Sequence, residues 1–161
     1  MFVEEIDVII AVSIWLSKNG WDVKSISIPN NQKQSRHHQT NKLINALSKA
    51  GLVIEKIQMN ASGPDIVAQN ISSNIFWKIE CKGFGTGVIQ TLKNNFDRAV
   101  ASTVSYYDQN DNLQIGIALP QNEIYLEFIE KKIPKPLRKV TSLWIILYDT
   151  ESKSIKVISP Q

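Results

Sequence analysis

The chain is 161 residues long, 43% hydrophobic and 20% charged. That is one domain's worth of ordinary globular composition and excludes a collagenous, disulfide-stapled or intrinsically disordered protein. Its 18 basic and 15 acidic side chains leave a net charge of +3, far less lopsided than a polybasic tail, so any contact with nucleic acid must come from local clustering. A single cysteine, Cys81, excludes an internal disulfide and a cysteine-built zinc site. Met1-Phe2-Val3-Glu4-Glu5 puts acids where a secretory signal carries cations, and the apolar stretch Ile6 to Leu16 is about half of the ~20 residues a membrane span needs. A cytoplasmic protein without a membrane partner is expected.

Phe2 to Lys18 is apolar nearly all round and is followed by Asn19-Gly20, which predicts a buried helix with its stop signal. Trp21 to Pro29 alternates as a strand does. Asn30 to Asn41 is polar and basic and reads as an exposed loop, with Thr40 capping a short helix that carries Leu43, Ile44 and Leu47. Leu52 to Met59 is the next expected strand. Asp65 to Ala68 and Ile75 to Lys82 follow as a hairpin pair. After Gly83-Phe84-Gly85-Thr86-Gly87, the residues Ile89, Leu92, Phe96, Ala99, Val100, Thr103 and Tyr107 recur at helical spacing. Gln114 to Leu119 is a strand and Tyr125 to Ile133 a helix broken by Pro134 and Pro136. Leu143 to Tyr148 and Ser154 to Ile158 form a closing hairpin. No repeat or linker divides the chain, and the element order predicts a single α/β domain, residues 1–161, with a mixed central sheet.

The chemistry concentrates between Gly63 and Gly83. In a strand, alternate side chains point to opposite faces. Trp77, Ile79 and Cys81 therefore share one face, while Phe76, Lys78, Glu80 and Lys82 share the other. Asp65 opens the preceding strand, and a tight hairpin brings it alongside Glu80. Two carboxylates and a lysine converging at a strand end suit a hard divalent cation. Phosphodiester hydrolysis uses such a set: the metal lowers the pKa of a bound water and offsets charge in the in-line transition state. A lysine beside it orients that water or neutralises developing charge.

Pro64-Asp65, fourteen intervening residues and Glu80-Cys81-Lys82 resemble the PD-(D/E)xK signature of nucleases with the restriction-endonuclease-like fold. The resemblance in element order runs from about Glu4 to Leu119, with the C-terminal hairpin as an elaboration. It implies that Asp65 and Glu80 ligate Mg²⁺ or Mn²⁺, that the main-chain carbonyl of Cys81 adds a ligand, and that Lys82 is catalytic. It also implies an acid from the first helix, Glu4 or Glu5. Glu5 is favoured because Ile9 and Ser13 continue its stripe into the packed part of the helix. Many relatives carry Gln-x-x-x-Tyr on the helix after the lysine. Here Gln90 is suitably placed, but the fourth residue on is Asn94; Gln90 is retained as a candidate for positioning substrate or the lysine.

Plainer readings stand beside these. Asp65 after Pro64 suits a turn, Glu80 and Lys82 suit a solvated strand face, and Glu4 and Glu5 suit any first helical turn. Cys81, on the apolar face, reads as a small buried hydrophobe rather than a nucleophile. His37-His38 lack ligand spacing, and the glycine run matches no phosphate-loop fingerprint. Two basic stretches are candidates for tracking a phosphate backbone: Lys131, Lys132, Lys135, Arg138 and Lys139, and, around the polar loop, Lys33 and Arg36. The reading is a metal-dependent endonuclease acting on DNA, as a homodimer or with a partner subunit. Its alternative is a non-catalytic subunit of the same fold that binds nucleic acid or protein.

Overall fold

A seven-stranded mixed sheet, flanked by helices, organises the chain in the order β2-β1-β3-β4-β5-β6-β7. The computed structural model describes residues 1–28 and 36–161. Helix α1 (Glu5–Lys18) buries Ile6, Val8, Ile9, Val12, Ser13 and Leu16, and Gly20 ends it at a positive φ of 82°. The helix starts three residues later than the apolar pattern suggests. Val3 is already committed to a two-way backbone pairing with Phe84, 2.7 Å in each direction. Asp7 then closes the first turn by accepting the Glu4 N–H at 3.0 Å.

Strand β1 (Trp21–Ser27) pairs antiparallel with β3 (Ile66–Asn70), which pairs antiparallel with β4 (Phe76–Cys81). Helix α3 (Ile89–Ser105) then crosses over to β5 (Leu113–Pro120), parallel to β4. A second crossover through α4 (Glu123–Lys132) and α5 (Lys135–Thr141) reaches β6 (Leu143–Asp149), parallel to β5. β7 (Ser154–Ile158) returns antiparallel as the expected hairpin. Trp77 packs edge-on against Trp21 and Trp144, with ring centroids 6.0 and 5.2 Å away. Its ring fits because Gly116 has no Cβ, which would fall 2.8 Å from the indole.

Three expectations need correction. The exposed loop expected over 30–41 lies outside the described residues up to residue 35, and from Arg36 the chain is helical instead: α2 runs Arg36–Lys49, with Thr40 inside it, its hydroxyl donating to the Arg36 carbonyl at 2.7 Å. A helix docks on a narrow stripe, and Gln39, Leu43 and Leu47 at i, i+4 and i+8 supply it. The expected strand over Leu52 to Met59 is a 3₁₀ turn, Ile54–Lys56, followed by the three-residue β2 (Gln58–Asn60). Its first apolar residues close α2 down, with the Leu52 N–H donating to the Leu47 carbonyl at 3.0 Å. Finally, Pro134 and Pro136 do more than stop α4. Pro136 lies in the first turn of α5, where a missing N–H costs nothing and a fixed φ helps. No helix among the described residues is long and apolar enough to cross a membrane.

Candidate functional site

The parallel strands β4, β5 and β6 end at the same edge of the sheet, the edge at which open α/β sheets collect functional groups. Ile66 faces Ile79 across the β3–β4 pair, so one step further the same register sets Asp65 opposite Glu80. Both are 7% exposed. β1 holds the backbone there, because the Ser27 N–H donates to the Asp65 carbonyl at 2.9 Å. Asp65 turns its Oδ2 to accept the Cys81 N–H at 2.7 Å.

Lys82 stands at the centre of the cluster. Its Nζ donates to Glu80 Oε1 at 2.8 Å, to the Cys81 carbonyl at 3.0 Å and to Glu5 Oε2 at 3.4 Å. Glu5 arrives from the other end of the chain because the Val3–Phe84 pairing clamps the start of α1 to the end of β4. Glu4 points elsewhere: it and Asp7 hold Lys42 of α2, at 2.9 and 2.8 Å. Of the two acids, Glu5 is the one that the fold brings to Lys82.

Burial, then the charges of Glu80 and Glu5, push the Asp65 carboxyl up to about 8, against the opposing pull of Lys82 and the Cys81 N–H. Burial likewise raises Glu5, with Lys82 pulling the other way. For Lys82, burial favours the neutral amine, but the charges of Glu5, Glu80 and Asp65 outweigh it and hold the group above the usual lysine range. Lys82 is therefore a firmly held ammonium. Burial, followed by the surrounding carboxylates, drives the fully buried Cys81 thiol well above its ordinary value, so the thiol stays neutral and serves as packing.

Two tyrosines complete the site, and neither is apparent from the motif. The Tyr106 hydroxyl, one residue beyond α3, donates to Glu80 Oε2 at 2.5 Å. Burial and this bond push the phenol above its usual range, so it remains a donor. Helical periodicity selects Tyr107 instead, which is 60% exposed; the helix ends at Ser105, and Tyr106 turns inward past its last turn. Tyr125 of α4 is fully buried and donates to the Gly83 carbonyl at 2.7 Å.

Other candidates stay apart. Gln90 is exposed and donates to Asn94 within α3 at 2.9 Å. His37 and His38 are exposed on α2, where His37 contacts Asn41. The basic run does not form one surface. Lys131 pairs with Glu127 at 2.5 Å, and Lys132 pairs with Asp97 over the rings of Phe96 and Phe128. Arg138 is 5% exposed and donates to the Ile133 carbonyl at 2.7 Å, so it cannot reach a phosphate. Lys135 and Lys139 remain exposed. Arg36 donates to the Asn60 carbonyl at 3.2 Å, and Lys33 lies outside the described residues.

Asp65, Glu80, Glu5 and the Cys81 carbonyl are hard oxygen donors of the kind Mg²⁺ or Mn²⁺ takes. With all three carboxylates ionised, Lys82 leaves two negative charges uncompensated, the charge of one divalent cation. Among the described residues no three acidic, histidine or cysteine side chains are arranged ready to hold an ion. The Lys82 ammonium itself bridges Glu5 and Glu80.

No protein-family model matches the chain, and no curated protein matches it. Among solved structures, the chain is similar to an XisH family protein from Nostoc punctiforme, at 17% identity over 94% of this chain and 99% of that one, with a TM-score of 0.49.

Proposed function

We propose that this protein is a metal-dependent nuclease with a restriction-endonuclease-like fold that hydrolyses phosphodiester bonds of DNA in the cytoplasm. The observation that carries the reading is the convergence of Glu80 and Glu5 on the single ammonium of Lys82 at the end of β4, with Asp65 set opposite Glu80 on the Cys81 N–H, all three carboxylates largely withdrawn from water. Burying like charges together is costly without a counter-charge, and a structural ion pair needs one carboxylate rather than three.

In this reading Asp65, Glu80, Glu5 and the Cys81 carbonyl hold Mg²⁺ or Mn²⁺. The ion supplies an acidified water and charge neutralisation at the phosphate. Lys82, held cationic, orients the attacking water and stabilises the negative charge that builds on the phosphate oxygens. It does not act as the general base, because its neighbours stabilise the charged form. Tyr106 fixes the orientation of Glu80 through the carboxylate oxygen that Lys82 leaves free. Cutting both strands of a duplex with one site per chain calls for a homodimer or a partner subunit.

The test is incubation with circular, linear and branched DNA in Mg²⁺ or Mn²⁺ against EDTA. Metal-dependent cleavage that is lost in Asp65→Ala and Lys82→Ala supports the reading. Absence of cleavage on all substrates, with no metal-linked rise in melting temperature, overturns it.

A further inference from the structure

Helix α1 is apolar on two opposite sides, and the sheet takes only one of them. Ile6, Ile9, Val12, Ser13 and Leu16 face the interior. At 3.6 residues per turn, the far side carries Asp7, Ile10, Ala11, Ile14, Trp15 and Lys18, a stripe about 17 Å long. Its four apolar members are only partly buried. They form one wall of an open groove of about 1120 Å³, and the β6–β7 hairpin forms the other through Tyr148 and Ile155. Phe2 also lines the groove and is 69% exposed. A helix that is apolar all round is ordinarily covered all round. The groove exceeds the usual small-molecule pocket of about 300–1,000 Å³, and Asp7 and Lys18 stand at opposite ends of the stripe instead of converging on a ligand.

The stripe is complementary to its own reverse. Asp7 and Lys18, Ile10 and Trp15, and Ala11 and Ile14 are each equidistant from its midpoint. An antiparallel copy centred there sets Asp7 against Lys18, Ile10 against Trp15 and the small Ala11 against Ile14, and two-fold symmetry makes every pair twice. Small against large lets two helices interlock at about 8–10 Å, and their dipoles oppose favourably. The charges of the groove agree. Two acids, Asp7 and Glu151, and two lysines, Lys18 and Lys153, line it. Such a balanced set matches a second copy better than a strongly acidic or basic partner. Lys18, Glu151 and Lys153 make no ion pair among the described residues, whereas Asp7 shares Lys42 with Glu4. The apolar pairs are therefore the stronger part of the match.

We infer that the outward face of α1 is a homodimer interface, in which α1 of a second copy lies antiparallel in the groove between α1 and the β6–β7 hairpin. Glu5 lies on the inward half of the helix, so the pairing leaves its bond to Lys82 intact. The surface stands on packing and charge alone. Its use, the placing of two sites on one duplex, rests on the nuclease reading.

Sedimentation of the full chain, with the melting temperature followed over about a hundredfold range of concentration, tests it without DNA or metal. A species of twice 18.2 kDa is expected, with a melting temperature that rises with concentration. Ile14→Lys is expected to leave a monomer whose melting temperature no longer depends on concentration. Lys18→Glu, at an exposed position where folding is not at stake, should raise the dimer dissociation constant about tenfold, because two symmetric attractions become repulsions. Val140→Lys, at the 85% exposed apolar residue of α5, should leave the dimer unchanged. A wild type that stays monomeric throughout, or a dimer undisturbed in both Ile14→Lys and Lys18→Glu, overturns the assignment. Cleavage of DNA by a monomeric wild type defeats this inference alone. A dimer that is lost in Ile14→Lys, from a wild type that neither cuts DNA nor responds to Mg²⁺, upholds the interface and defeats the nuclease reading.

Discussion

Gly83 lies so close to Glu5 that a Cβ on it would fall 2.6 Å from the Glu5 backbone nitrogen and 2.4 Å from the Val3 carbonyl oxygen. The neighbours in both cases are backbone, which cannot swing aside. This contact, with the Val3–Phe84 pairing beside it, sets the start of α1 against the end of β4 and so brings the Glu5 carboxylate to Lys82.

Gly83→Ala should therefore push the N-terminus of α1 off the sheet. The expected loss of stability is about 1–3 kcal/mol, the usual cost of overpacking, read as a lower urea midpoint. The rise in melting temperature with Mg²⁺ should shrink too, because Glu5 moves away. An unchanged midpoint and metal response would show that the approach of the two elements is not needed.

Tyr106→Phe removes the hydroxyl that Glu80 Oε2 accepts and leaves the ring in place. Partners that orient a metal ligand typically contribute about 10- to 100-fold in affinity or activity. The Mg²⁺ concentration giving half-maximal thermal stabilisation should rise by about tenfold, with little change in the melting temperature in EDTA. Equal metal dependence in the two proteins would remove Tyr106 from the site.

The Asp65 carboxyl predicts an unusual pH dependence for the metal-free protein. Its folded-state pKa is raised to about 8 from an ordinary value of 3.8, so between those values the folded state takes up a proton that the unfolded state has released. The stabilisation from Asp65 is full below about pH 4 and is lost as pH rises through about 8, with a slope of at most about 1.4 kcal/mol per pH unit for one proton. In EDTA the melting temperature should fall between pH 5 and pH 8. Asp65→Asn should flatten that fall. Mg²⁺ should reverse it, since it favours the ionised carboxylates. A flat wild-type profile in EDTA would contradict the raised Asp65 value.

Arg138 belongs to the interior despite its place in a basic run. Its guanidinium donates to the Ile133 carbonyl and ties the turn between α4 and α5, although its Nε has no partner among the described residues. Arg138→Ala should cost about 1–3 kcal/mol through lost packing and an unmet carbonyl, measured by urea unfolding. DNA affinity should be unaffected at temperatures where the variant is folded. Stability close to wild type, with weakened DNA binding, would restore Arg138 to the surface role suggested by its neighbours in sequence.

Local physics made much of this legible in advance. The alternation of Trp77, Ile79 and Cys81 with Lys78, Glu80 and Lys82 is decided within one strand by backbone geometry. The short hairpin leaves Asp65 little choice but to face Glu80. The apolar stripe of α3 and the closing β6–β7 hairpin are likewise written at short range. Arg36 to Asn41 misled because it is polar: three buried positions, Gln39, Leu43 and Leu47, suffice to dock α2 when α1 and the Ile54–Lys56 turn supply the facing surface.

The sequence by itself determined the residue types at the end of β4 and the strand face on which they lie, since side-chain alternation follows from the extended backbone alone. Tertiary structure alone decided which charges meet there. Glu5 and Lys82 are 77 residues apart, and Tyr106 reaches Glu80 across 26. Glu4 is drawn away to Lys42, and of the cations near residue 135 Lys131 goes to Glu127, Lys132 to Asp97 and Arg138 to the interior, while Lys135 and Lys139 stay exposed. Such partners are selected by how helices dock on the sheet, through close backbone contacts such as Gly83 against Glu5, and no spacing along the chain encodes that docking.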